Sequence, residues 1–214
     1  MARFKRLLLQ NLIIASILTV FAPGWTGENP CPEGGQLTGS VPPIGVVQWC
    51  QKRDADRNYI KHGKWIEWYV SGQNKVEGQF QNGKKDGPWI SWYINGLKQY
   101  EGKFKNGKEQ GRHALWYEGG MKKMEVDYKD GIVDGRMTEW YEIGPKRIEA
   151  EYQDGIKHGK ITVWYKNGQK RREEEYKNGK LDGCSTDWHE NGDVRIQGIF
   201  KDDAWQGSMP CRND

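Results

Sequence analysis

Apolar and polar positions along this chain fall into three regimes. Residues 1–22 hold a short basic stretch, then an apolar run from Leu7 to Ala22 broken only by Gln10, Asn11, Ser16 and Thr19. Residues 23–62 are mostly polar and rich in turn formers. From Gly63 onward, segments of about six residues rich in Trp, Tyr, Ile and Phe alternate with glycine-containing pairs. Segments of that length and composition, bounded by such pairs, predict short β-strands and no helices.

The third regime is periodic. A unit of 24 residues recurs without insertion or deletion, opening at Gly63, Gly87, Gly111, Gly135, Gly159 and Gly183, and a shortened seventh unit opens at Gly207. With the opening glycine as step zero, step five is Trp68, Trp92, Trp116, Trp140, Trp164 and Trp188. Step six is Tyr69, Tyr93, Tyr117, Tyr141 and Tyr165, then His189. Step seventeen is Phe80, Phe104, Tyr128, Tyr152, Tyr176 and Phe200.

Two turn signals punctuate each unit. One ends in glycine at step nine (Gly72, Gly96, Gly120, Gly144, Gly168, Gly192). The other is Asn82-Gly83 and its counterparts Asn106-Gly107, Asp130-Gly131, Asp154-Gly155 and Asn178-Gly179. Asn-Gly and Asp-Gly tolerate the positive φ of type I′ hairpin turns. Each unit therefore predicts one antiparallel hairpin. The fold class is all-β: an elongated, single-layer antiparallel β-meander of 24-residue hairpin repeats. Twelve or more strands give a twisted sheet on the order of 60 Å long.

Composition sharpens this picture. Hydrophobic residues make up 36% of the chain, with 11 Trp and 10 Tyr, so a thin sheet faced with rings suits it better than a thick aliphatic core. Rings can cover one another along such a sheet. Glycine at step fifteen (Gly78, Gly102, Gly198) lets a ring of the next strand lie over bare backbone. Trp68 and Tyr69 are adjacent, so simple alternation sends them to opposite faces. Both aromatic rows are candidate binding surfaces, since a one-layer sheet hides neither face.

The N-terminal pattern has the layout of a secretory signal peptide, with cleavage expected between residues 22 and 27. Excluding Arg3, Lys5 and Arg6, Lys and Arg number 30 against 29 Asp and Glu. A near-neutral chain without a basic block excludes a dedicated nucleic-acid binder. The four cysteines, Cys31, Cys50, Cys184 and Cys211, are an even set in an exported chain and predict disulfides. Three connectivities are open, and sequence proximity favours Cys31–Cys50 and Cys184–Cys211. No closely spaced Cys or His pairs indicate a metal.

The segments "VEGQFQNGKKDG" (76–87) and "YEGKFKNGKEQG" (100–111) resemble the MORN repeat, and "GKWIEWYVSGQNKVEGQFQNGKKDG" (63–87) is closer still to the MORN-repeat variant of antitoxin-like bacterial proteins. The resemblance covers about residues 63–207. It implies an antiparallel hairpin array and a protein-binding or membrane-associated role, and it implies no chemistry. Units three to five depart from the pattern at step fifteen (Val126, Ala150, Glu174), and Asp202-Asp203 replaces the last Asn-Gly. The organisation expected is a signal peptide over 1–27, a Cys-containing cap over 28–62, six repeats over 63–206 and a C-terminal partial repeat over 207–214. The cap reading of 28–62 rests on resemblance to exported arrays.

Candidate chemistry is sparse. The carboxylates at step fourteen (Glu77, Glu101, Glu125, Glu149, Glu173) recur once per hairpin, so cross-strand pairing with step-twelve cations such as Lys75, Lys123, Arg147, Arg171 and Arg195 explains them. His62, His113, His158 and His189 are scattered through the repeat. No catalytic residue, cofactor or metal is expected. The function expected is an exported, non-enzymatic protein-binding scaffold. Two alternatives are an antitoxin- or immunity-like protein and a cell-envelope carbohydrate-binding module that stacks a glycan on the Trp and Tyr rows. Membrane contact is expected only through an uncleaved N-terminal segment.

Overall fold

The computed structural model describes residues 31–44, 46–208 and 211. The expected signal peptide lies outside them. Among the described residues, sixteen strands form one open antiparallel sheet. Ahead of the repeats come β1 (Gln36–Ser40) and β2 (Val47–Arg53), and β3 (Tyr59–Trp68) runs into the first of them. The next strands are β4 (Asn74–Gln81), the short β5 (Lys84–Lys85), β6 (Gly87–Trp92), β7 (Lys98–Lys105), β8 (Lys108–Trp116) and β9 (Lys122–Lys129). Then follow β10 (Ile132–Trp140), β11 (Lys146–Gln153), β12 (Ile156–Trp164), β13 (Lys170–Lys177), β14 (Lys180–Trp188), β15 (Val194–Lys201) and β16 (Ala204–Gly207). Spatial order follows chain order, with β5 pairing only with β4. The all-β meander expected from the repeat is the fold observed. The residue-62/63 division falls inside β3, so the segment before the repeats continues the same sheet.

The two turns of each unit differ. At Asn82-Gly83 and its counterparts both residues have positive φ, as a type I′ turn requires. Asp202 and Asp203 keep that geometry, with φ of 48° and 70°, despite the missing glycine. The step-nine turn is not type I′. There only the glycine has positive φ, for example 82° at Gly96, and the Asn before it does not. Gly96 N–H donates to the Tyr93 carbonyl and Tyr93 N–H to the Leu97 carbonyl. This is a type I turn closed by a left-handed residue, the commoner solution for a longer hairpin loop.

Each unit also carries two register shifts. One lies at the opening glycine, as between Val133 and Met137 opposite β9. Gly63, Gly87, Gly111, Gly135, Gly159 and Gly183 all have positive φ, which identifies the opening glycine as the bulge residue. The other shift follows step four, as between Glu67 and Trp68. Bulges bend and twist a strand, and two per unit recur down the whole sheet.

Consecutive units are tied along both rims. On the type I′ rim, each turn's second residue donates its N–H to the carbonyl 22 residues earlier, from Gly83 to Lys61 through to Asp203 to Leu181, at 2.8–3.0 Å. These bonds hold neighbouring hairpins in register independently of side chains.

Candidate functional site

Strand alternation places steps two, four, thirteen, fifteen and seventeen on one face, and steps three, five, fourteen and sixteen on the other. The first is here the ladder face and the second the Trp-row face.

On the ladder face, rings contact one another in sequence: Trp49, Trp65, Phe80, Trp89, Phe104, His113 and Tyr128, with centroids 4.9–6.3 Å apart. Most of these contacts are edge-to-face, the arrangement ring quadrupoles favour. Trp89 lies over Gly78, where any Cβ would collide with its indole, and Trp205 lies in the same way over Gly198. Where step fifteen gains a side chain, the paired step-two residue is no longer a ring: Val126 faces Met137 and Ala150 faces Ile161. Both Val126 and Ala150 are buried. The expectation that step-fifteen glycine receives a ring is met. The step-two row itself (Trp65, Trp89, His113) is a packing element that the aromatic repeat alone does not reveal.

His113 is buried between Phe104 and Tyr128. Its Nε2 lies 2.9 Å from the Lys103 carbonyl, which only accepts, so Nε2 carries the proton. Nδ1 then accepts from the Tyr100 hydroxyl at 2.8 Å. Burial, followed by the nearby Glu109 and Tyr128, pushes the Tyr100 hydroxyl well above the ordinary phenol range and keeps it a donor.

On the opposite face, Trp92, Trp116, Trp140, Trp164 and Trp188 are half-buried and Trp68 is buried. Same-phase strands are about 9.6 Å apart, so the indoles form an evenly spaced row. Each of Lys98, Lys122, Lys146 and Lys170 pairs with the glutamate of its own unit (Glu101, Glu125, Glu149, Glu173) at 2.5–2.7 Å. The same ammonium lies 5.7–5.9 Å from the next unit's Trp ring. In these four units the glutamate partner is thus at step eleven and not step twelve, while in the first, where step eleven is Asn74, Glu77 pairs with Lys64. Because a register shift separates the two steps, step-twelve cations reach step four instead: Lys75 to Glu67, Arg147 to Glu139 and Arg195 to Asp187. Among the described residues, the indole N–H groups of Trp92 to Trp188 have no protein acceptor, whereas Trp65 donates to Glu67 and Trp89 to the Gln79 carbonyl.

The tyrosine row does something else. Tyr69, Tyr93, Tyr117, Tyr141 and Tyr165 lie one residue past the strand, in the turn, so strand alternation does not assign them a face. Each hydroxyl donates to the carbonyl of the next unit's Trp at 2.8–2.9 Å. The sixth unit has no following Trp (the matching position is Arg212), and there step six is the exposed His189. Asn95 and Asn167 add a second tie, to the carbonyls of Glu118 and Glu190. Beyond the tyrosines the hairpin tips carry an exposed aliphatic residue in units one, two and four, where Val70 is 88% exposed, Ile94 57% and Ile143 70%, while the third unit has Glu118-Gly119 there.

Charge is concentrated at one further point. Asp187 is buried and accepts from Arg172 and Arg195. The Arg172 hydrogen bond holds its carboxyl below the usual aspartate range, with burial opposing and Arg195 assisting. Cys31 is joined to Cys50 and Cys184 to Cys211, with Cα separations of 5.4 and 5.9 Å. Among the described residues no group of His, Cys, Asp and Glu is arranged to hold a metal ion. No described helix is long and apolar enough to cross a membrane.

Fold and surface together define a class, an open one-layer array of β-hairpin repeats. Within that class, the family model described as the MORN repeat variant matches residues 157–178 and 181–202, two adjacent units. Repeats of this kind are non-enzymatic modules that generally bind proteins or membranes. No curated protein matches the chain.

Proposed function

We propose that this chain is an exported, non-enzymatic scaffold that binds a partner protein through the Trp-row face. The observation that carries this reading is the row of half-buried indoles whose N–H groups have no protein acceptor among the described residues. The Tyr hydroxyls are consumed in holding units together. The half-buried indoles keep free N–H groups and have at most a lysine ammonium beside the ring, and the tips Val70, Ile94 and Ile143 are exposed. Trp is a preferred anchor of protein contacts. The paired cysteines fit an oxidising compartment, which supports export. The organisation proposed is a signal peptide over 1–27, a cap over 28–62, six repeats over 63–206 and a closing segment over 207–214.

The test is a pull-down from cell-envelope fractions with the full exported chain, alongside Trp116→Ala and Trp140→Ala. A protein retained by the wild type, and retained at least tenfold less by the variants, supports the proposal. Recovery of polysaccharide alone, with no protein partner, overturns it in favour of a carbohydrate-binding module.

A further inference from the structure

A second surface, on the opposite face and outside the proposed Trp-row site, has its own chemistry. A cleft of about 390 Å³ on the ladder face is lined by Lys61, Trp65, Phe80, Lys85, Trp89 and Tyr100. The Lys61 ammonium lies 3.9 Å from the Trp65 ring and 4.9 Å from Phe80. The Lys85 ammonium repeats this one unit on, 4.3 Å from Trp89 and 4.9 Å from Phe104. Their register partners Gln51 and Phe80 are uncharged. Among the described residues neither ammonium has a carboxylate within ion-pair distance, whereas Lys64, Lys75 and Lys98 nearby are all paired. The cleft's own carboxylate, Glu67, is engaged by Lys75 and the Trp65 indole.

The surroundings are basic as well. Residues 31–110 carry 12 Lys and Arg against 8 Asp and Glu, whereas residues 111–206 carry 17 against 19. The pattern is also bounded. The column containing Lys61 and Lys85 continues as Glu109, Val133, Lys157 and Leu181, so within this column two adjacent cations over rings occur once.

Spacing selects the ligand's shape. Lys61 and Lys85 are one unit apart, about 9.6 Å along the sheet axis. A polyproline II helix has three residues per turn and rises about 3.1 Å per residue, so its positions i and i+3 share a side about 9.3 Å apart. Such helices dock into aromatic-lined grooves, because their extended form is already ordered. We infer that this cleft binds an extended acidic segment of a partner protein, in polyproline II form. Carboxylates three residues apart meet Lys61 and Lys85, and the intervening apolar residues rest on Trp65, Phe80 and Trp89.

The test uses fluorescence anisotropy with the purified full chain and a labelled peptide of repeated Glu-Pro-Pro, at low ionic strength. Saturable binding that weakens with added salt is expected. Repeated Gln-Pro-Pro is expected to bind at least fivefold more weakly. Lys61→Ala and Lys85→Ala are each expected to weaken binding roughly three- to fivefold. Lys61→Arg, which keeps the charge over the ring, retains it. Trp140→Ala, on the other face, leaves it unchanged, which separates this site from the proposed scaffold surface. Equal binding of the Gln peptide, no effect of either lysine variant, no binding by the wild type, or loss on Trp140→Ala would each overturn the inference.

Discussion

A tyrosine placed one residue beyond the end of a strand is free of the pleat, and its hydroxyl can reach the next hairpin. That is how Tyr69 to Tyr165 connect five pairs of units. Each bond joins a hydroxyl to a main-chain carbonyl, so Tyr117→Phe should cost about 0.5–1.5 kcal/mol in chemical denaturation without changing the far-ultraviolet spectrum. No loss would show that the bond is replaced by water. At Asp187 the sign of the pH effect follows from its lowered pKa. The ion pair contributes stability above the ordinary aspartate range near 3.8, and that contribution disappears as pH falls through the lower folded value. Asp187→Asn should therefore lower the melting temperature at pH 7 by the equivalent of about 1–3 kcal/mol and flatten its decline on the acid side. A variant as stable as the wild type at pH 7 would remove Asp187 from the account.

Elements are matched in pairs across units. Step two of one hairpin fills the space left by step fifteen of the hairpin before it: ring over glycine early in the array, Met137 and Ile161 over Val126 and Ala150 later. Gly78→Val alone should cost on the order of 1–3 kcal/mol through overpacking against Trp89. Adding Trp89→Met, which reproduces the Val126–Met137 pair, should recover part of that loss, with a coupling of about 0.5 kcal/mol or more. Strict additivity of the two changes would contradict the pairing.

The same pairing explains what the sequence made legible at this scale. Step five stands out because it is Trp in all six units. Step two does not, because it runs Trp65, Trp89, His113, Met137, Ile161, Ser185 and is visible only through its covariation with step fifteen. Turn chemistry was half legible. Asn82-Gly83 read correctly as type I′. Asn95-Gly96 looks the same in sequence, but the longer loop around it sets a type I turn, and with it the position of the tyrosine. The carboxylate column was visible, but its partner row was not, because a register shift exchanges steps eleven and twelve. The Lys61–Lys85 cleft could be found only after two cations and three rings from different units had been placed on one face.

At the scale of the whole molecule, backbone bonds along the type I′ rim, tyrosine hydroxyl bonds along the other rim and, in the first three units, a ladder of rings on one face make each hairpin depend on its neighbours. No second layer covers either side of the described sheet. The proposed binding surfaces exist only because the sheet is open and one layer thick, so its overall dimensions test the central claim most directly. Small-angle X-ray scattering on the purified chain, with its mass checked by light scattering, measures them. Fifteen strands in sequence at about 4.8 Å each predict a longest dimension on the order of 70 Å. They also predict a radius of gyration clearly above the roughly 17 Å of a compact chain this long. A compact, near-spherical profile at monomer mass would mean that the faces are folded against each other, and would contradict the account.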